Sequence, residues 1–231
     1  MGSIGIHLQH VKRRIEAASS AVGRKPGEVR LLAVSKTFGA EAVREAAGAG
    51  QRAFGENYVQ EALAKIEALA ALRPQLEWHL IGPLQSNKTR PVAEAFDWVQ
   101  SVDRLKIGQR LAEQRPAGLP PLNLCLQVNV SGEASKSGVP PAEAPALAHA
   151  LAALPAGRVR LRGLMAIPEP AAPGTEASRA PLRRLHALWQ QLRSEGLALD
   201  TLSMGMSADL EDAVAEGATM VRVGSAIFGA R

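Results

Sequence analysis

Eight apolar runs of strand length recur along this chain, most of them followed by a stretch with helical spacing, and this alternation constrains the fold most. The runs are "VRLLAVSK", "RAFGEN", "EWHLIG", "WVQSVD", "LNLCLQVNV", "VRLRGLMAI", "LDTLSMGMS" and "MVRVGSAIFG". Between them lie alanine-rich segments such as "AEAPALAHALAALP" and "LEDAVAEGA", which suit helices. Alternating strands and helices predict a parallel sheet with helices outside. Eight such units in 231 residues predict an α/β fold, a single (β/α)8 TIM barrel forming one domain over residues 1–231. A doubly wound open sheet is the competitor, but its fingerprint G-x-G-x-x-G is absent after the first run. Residues 4–22 predict an extra N-terminal helix with Ile4, Leu8, Val11 and Ile15 as its apolar stripe. The chain stops at Arg231, directly after the eighth run, so this helix is expected to replace the usual closing one. "PEPAAPGTEASRAP" (168–181) reads as a loop after strand six.

Barrels of this kind carry their chemistry at the C-terminal ends of the strands. Residues that break the apolar runs collect there: Lys36, Asn57, His79, Gly82, Asn129, Ser131, Ser207, Arg222, Gly224 and Ser225. Lys36 ends a core strand although lysine is among the residues least often buried. It is either a rim lysine whose stem covers the mouth or a desolvated amine, nucleophilic toward aldehydes. Ser207 stands just before a helix that begins near Asp209 or Leu210, and Gly224–Ser225 form a turn after the last strand. Taken singly, these are an N-cap and a turn. Together they fit the phosphate site that barrels build after strands seven and eight. A lysine on strand one facing a phosphate cup defines a site for pyridoxal phosphate, with the aldehyde in Schiff-base linkage to Lys36. Arg222 then faces the pyridine nitrogen, or else pairs with a strand neighbour. His79 is a base, a partner stacked on the ring, or a satisfied core histidine. Lys136 in "EASKSG" is the second candidate amine.

Composition excludes several other classes. At 46% hydrophobic and 21% charged the chain has ample material for a core. The net charge of +5 raises the question of nucleic acid, yet the basic residues are scattered among acidic ones. Aromatics at 3% are too few for a stacking platform, and no nucleic-acid partner is expected. No run of eighteen apolar residues predicts a membrane span. The start "MGSIGIHLQHVKRRIEAASS" lacks signal-peptide character, and Ile6 breaks the myristoylation pattern. Cys125 is the only cysteine, which rules out an internal disulfide and fits a cytoplasmic location. His7 and His10 have no thiol or carboxylate cluster around them, so no metal is expected.

The segments "LLAVSKT", "FGENYVQEA", "WHLIGPLQSNK", "VNVSGEASKSG", "RGLMAIPE" and "LSMGMSADLEDAVAEGATMVRVGSAIFGAR" closely resemble the pyridoxal phosphate homeostasis proteins. The likeness runs from Gly23–Arg24 to the end of the chain. It implies a barrel like the N-terminal domain of alanine racemase, holding pyridoxal 5'-phosphate as a Schiff base on Lys36. By motif, Ser207, Gly224 and Ser225 hold the phosphate, Arg222 faces the pyridine nitrogen, and Asn57 and His79 lie around the ring. Phe38 and Gly39 depart from the family, which often has a charged or proline-containing stretch there.

A non-catalytic carrier that hands the cofactor to apo-enzymes is expected, with an amino-acid racemase as the alternative. A two-base racemase needs a proton donor opposite the lysine. The racemases that share this barrel take a tyrosine from a second domain, whereas Tyr58 is the only tyrosine here. An arginine at the pyridine nitrogen also disfavours its protonation and weakens the ring as an electron sink. Without a second domain the racemase dimer is not implied, and a monomer is expected.

Overall fold

Each of the eight apolar runs contains a strand, and each strand stops before its run ends. The computed structural model describes residues 2–132 and 137–229. Its strands are β1 (Arg30–Val34), β2 (Ala53–Glu56), β3 (Glu77–Leu80), β4 (Trp98–Val102), β5 (Leu122–Gln127), β6 (Val159–Met165), β7 (Thr201–Ser203) and β8 (Met220–Val223). They pair in parallel in sequence order, and β8 closes on β1 with Leu32 opposite Arg222. The fold is the closed (β/α)8 barrel that the alternation predicts. What remains of each run lies beyond the strand at the C-terminal mouth, so Lys36, Asn57 and Ser207 sit on loops there and Ser225 opens a short helix.

Packing explains the local details. Alternate strand residues face helices or barrel interior. Phe54, Trp78, Leu80, Leu124 and Leu164 join the large apolar layer beneath the helices. Inside, two small clusters remain: Leu32, Val34, Ala53, Ile81 and Met220 form one, and Trp98, Cys125 and Met165 the other. Gly163 pairs with Thr201 so closely that a Cβ there would lie 1.6 Å from the Thr201 carbonyl oxygen. No other residue fits that crossing.

The N-terminal helix α1 (Ser3–Ala21) buries Gly5, Leu8, Val11, Ile15 and Ser19. Each fully buried Leu, Val or Ile contributes roughly 1.5–3 kcal/mol relative to exposure. This helix packs on α2 (Ala40–Gly48), on α8 (Leu210–Ala215) and on α9 (Ser225–Phe228). The remaining helices are α3 (Val59–Ala68), α4 (Thr89–Ala95), α5 (Leu105–Gln114), α6 (Ala144–Ala152) and α7 (Glu176–Ser194). Two expectations are corrected. A closing helix does follow β8, although α9 is a single turn. The loop expected over 168–181 ends early, because Thr175 caps α7 by accepting from the Ser178 N–H at 3.3 Å. Pro181 therefore sits inside that helix.

Candidate functional site

A cavity of about 610 Å³ opens at the C-terminal mouth, within the range usual for small-molecule sites. Six of the seven residues singled out in the sequence line it: Lys36, Asn57, Ser207, Arg222, Gly224 and Ser225. Lys36 lies in the turn after β1 and is half-buried. Thr37 beside it has φ +68°, a left-handed backbone that costs a β-branched residue on the order of 1–3 kcal/mol. The Glu61 carboxylate holds this turn by accepting the Thr37 N–H at 2.6 Å.

The two turns at the far side are supported from α1. Arg14 forms a bidentate pair with Glu211 at 3.0 and 2.9 Å and donates to the Ser207 carbonyl at 3.2 Å. His7 Nδ1 donates to the Ile227 carbonyl at 3.2 Å. Ser207 is not the N-cap of α8; that position is Asp209, whose Oδ1 accepts the Met206 N–H at 2.7 Å. In α9 the N–H groups of Ile227 and Phe228 both close on Gly224 O. Those of Ser225 and Ala226 precede the first intrahelical bond, and Ser225 lines the cavity.

Arg222 is 3% exposed. It donates to Ser203 Oγ at 2.8 Å and to the Ala166 carbonyl at 2.7 Å. A guanidinium has five N–H donors, more than these two acceptors use, and Arg222 also lines the cavity. Burial lowers its pKa to about 10, which leaves it a cation near neutrality. The competing reading, an ion pair with a strand neighbour, is not found among the described residues; two neutral acceptors hold the guanidinium.

His79 does not lie at the mouth. It is fully buried inside the barrel, stacked on Trp98 at 5.1 Å, and absent from the cavity wall. The residue of this segment that reaches the cavity is Ile81, two positions further on and just past the end of β3. His79 belongs one layer down, bonded to Glu77 Oε1 at 2.7 Å and to Gln100 Nε2 at 2.9 Å. Asn129 and Ser131 likewise tie loops, accepting from Gly132 and Glu169 N–H groups, rather than lining the wall. Lys136 lies outside the described residues. The sequence reading missed Gln100 and Ser203; their only signal was a polar residue at an inward position in "WVQSV" and "TLS".

Two further groups bear on chemistry. Burial pushes the Cys125 thiol up to about 12, so it is not a nucleophile at neutral pH. Among the described residues no cluster of three or more His, Cys, Asp or Glu is placed to hold a metal, and no helix is long and apolar enough to cross a membrane. Burial acts to raise the Glu77 pKa, but the bonds from His79 and Arg30 outweigh it and hold the group at about 2. A depressed carboxyl stabilises the fold above its ordinary value of 4.5, and that contribution is lost as pH falls toward about 2. The urea midpoint is expected to drop across that window, and Glu77→Gln to remove part of the drop. An identical pH profile in the variant would show that Glu77 makes no such contribution.

The donors at this mouth fit an anionic ligand with a carbonyl and a hydrogen-bond acceptor. Asn57 Oδ1 is buried with no partner among the described residues, an acceptor left for something in the cavity. At Gly82 a Cβ would lie 2.2 Å from Asn57 O, so the glycine is what lets Asn57 approach. A barrel with an amine, a guanidinium and small donors converging at its mouth is a ligand-holding barrel of the alanine racemase type. The chain belongs to the family described as the alanine racemase N-terminal domain, whose model matches residues 6–231, and within it to the pyridoxal phosphate homeostasis proteins.

The relatives support both parts of that statement. The chain is 63% identical to the pyridoxal phosphate homeostasis protein of Pseudomonas aeruginosa, covering 100% of this chain and 97% of the relative. The structure of PipY from Synechococcus elongatus with PLP bound is 42% identical, with a TM-score of 0.78 over 93% of this chain and 99% of that one. Alanine racemase of Clostridium difficile shares 14% identity and a TM-score of 0.72, covering 95% of this chain and 56% of that one. At that identity the likeness is one of fold alone.

Proposed function

We propose that this protein binds pyridoxal 5'-phosphate in the mouth cavity and serves its homeostasis as a carrier. The observation that carries the reading is the convergence of Lys36, Arg222, Ser207, Gly224 and Ser225 on one cavity. When bound, the cofactor supplies an aldehyde, a ring nitrogen and a phosphate. Lys36 is the covalent attachment point for the aldehyde. Ser207, Gly224 and Ser225 hold the phosphate through hydroxyl and backbone N–H donors, and Asn57 lies beside the ring. Arg222, a permanent cation, keeps the facing ring nitrogen an acceptor and unprotonated. His79 supports this arrangement from below rather than touching the ring.

A racemase needs a second proton carrier across from the lysine. Among the described residues, the titratable side chains on the cavity wall are Lys36 and Arg222. That lining supports the carrier reading. One barrel domain over residues 1–231 performs it as a cytoplasmic monomer, with apo-enzymes that require the cofactor as recipients.

The test is direct. Protein incubated with pyridoxal phosphate should develop a visible absorbance band, and borohydride should fix the label on the peptide containing Lys36. Absence of label, or label elsewhere, overturns the site. Amino acids added in deuterated water should show no α-proton exchange; exchange would overturn the carrier reading. Ser207→Ala combined with Ser225→Ala should leave the label in place but speed release on dialysis. Each hydrogen bond to a charged phosphate is worth roughly 1.5–3 kcal/mol, so release should accelerate tenfold or more. Unchanged release would move the phosphate elsewhere.

A further inference from the structure

The interior of a (β/α)8 barrel is ordinarily filled by apolar, branched side chains. Here a file of polar side chains runs through it. Arg222 NH1 donates to Ser203 Oγ at 2.8 Å, and Ser203 Oγ donates to Gln100 Oε1 at 2.6 Å. Gln100 Nε2 lies 2.9 Å from His79 Nδ1, and His79 Nε2 lies 2.7 Å from Glu77 Oε1. Glu77 Oε1 also accepts from Arg30 NH2 at 2.7 Å. Ser203, Gln100 and His79 are each fully buried. The file thus joins the mouth cavity at Arg222 to a second cavity of about 920 Å³ at the opposite end, where Arg30 and Glu77 form part of the wall.

Only one pattern of protons satisfies it. Arg222 has donors and no acceptor, so Ser203 Oγ must accept there. The single Ser203 proton then goes to Gln100 Oε1, which turns the Gln100 amide nitrogen toward His79. His79 Nδ1 must therefore be bare, and Nε2 carries the proton given to Glu77. Protonating Nδ1 would oppose two donors and force Gln100 to flip. Ser203 would then face donors from both sides with its own proton unplaced. From Arg222 to Glu77 every bond points the same way, with Arg30 donating to Glu77 from the other side, and such aligned chains polarise one another in a low-dielectric interior.

We propose that Gln100 is a positioning residue for Arg222: by fixing the direction of bonding from Arg222 through Ser203 to a neutral His79, it holds the guanidinium where it faces the ring nitrogen. This rests on the reading that pyridoxal phosphate occupies the mouth cavity. The charges nearest His79 agree with a neutral ring. Glu77 takes the Nε2 proton, Arg30 neutralises Glu77, and Asp97 at the head of β4 bonds Arg73 and the Trp78 N–H instead. The partner on the Nδ1 side, Gln100, carries no charge.

The experiment has an arm that needs no cofactor. In wild-type protein, nitrogen NMR of His79 should show one proton, on Nε2, unchanged from about pH 6 to about pH 8. Gln100→Glu replaces the amide donor with an acceptor and should place protons on both ring nitrogens. A wild-type proton on Nδ1, or a doubly protonated wild-type ring, overturns the proposal. In the loaded protein, Gln100→Glu should shift the visible band and speed cofactor release by about tenfold or more, the effect of disturbing one charge-assisted hydrogen bond. Gln100→Met keeps the volume and removes both polar contacts, and covers the case in which the charged variant does not fold. It should also speed release, and unchanged release in a folded Gln100 variant overturns the proposal. If wild type fails to bind pyridoxal phosphate, the functional reading fails and the proposal with it, while the NMR arm still reports whether the direction of the file is correct.

Discussion

Lys36→Ala is expected to abolish borohydride-fixed labelling by pyridoxal phosphate while leaving the barrel folded. The side chain is half-buried on a turn, outside the apolar layers that hold the fold together. The backbone around it has its own supports. Ser35 N–H donates to Gly55 O at 3.0 Å, and Thr37 N–H to Glu61 at 2.6 Å. Truncation there removes no side chain from those layers and is expected to leave the urea unfolding transition cooperative. Retention of the cofactor would then rest on Arg222 and the phosphate donors alone, so bound cofactor should be lost on dialysis. Mass spectrometry after borohydride gives the decisive reading. A fixed label on another lysine, with Lys136 the first to check, would make Lys36 one attachment point among several.

The second large effect is expected at Lys65→Met. The Lys65 ammonium is 5% exposed and all three of its N–H groups have acceptors. They are Ser35 O at 2.7 Å, Glu56 Oε1 at 2.7 Å and Glu61 Oε1 at 2.6 Å. Glu56 is fully buried, accepts from Ser35 Oγ at 2.6 Å, and has no partner for its Oε2 among the described residues. Removing one partner of a buried pair leaves an uncompensated charge and costs about 3–5 kcal/mol. Burial already raises the Glu56 pKa above 4.5, against the lowering effect of Lys65 and Ser35. Without the ammonium it rises further. A carboxyl raised in the folded state is harmless below its unfolded pKa, and its cost grows as pH rises through the folded value. The deficit of the variant in urea unfolding should therefore be smaller near pH 4.5 than near pH 8. A deficit that does not vary with pH would mean that Glu56 titrates alike with and without the ammonium. Because the same ammonium braces Ser35 and Glu61 on either side of Lys36, labelling should also slow at neutral pH.

Some of this was legible in the sequence. Lys36, Ser207, Arg222, Gly224 and Ser225 stood out because each interrupts an apolar run near its C-terminal end, where a barrel has its mouth. His79 was misplaced by one layer, since an apolar run does not say at which residue its strand leaves the sheet. Gln100 and Ser203 were overlooked for the opposite reason. A polar residue inside a strand reads as solvent-facing until the barrel closes and both faces are covered. Lys65 in "QEALAKIEA" looks like an ordinary surface lysine of an amphipathic helix. Its burial depends on Glu56 and Ser35, residues 9 and 30 positions away, which no local pattern reports.

The supports that α1 lends to the mouth have a consequence for the order in which the molecule assembles. The bond from His7 to Ile227 spans 220 residues, and that from Arg14 to Ser207 spans 193. Contacts of such separation bear the full entropy of closing the chain and are made only once the intervening strands have paired. The turns after β7 and β8 are therefore expected to gain hydrogen-exchange protection late in refolding, after β1 to β6 have paired. If Lys36 takes the aldehyde as proposed, a chain whose β8 has not yet closed on β1 would present that lysine without the donors of the last two turns.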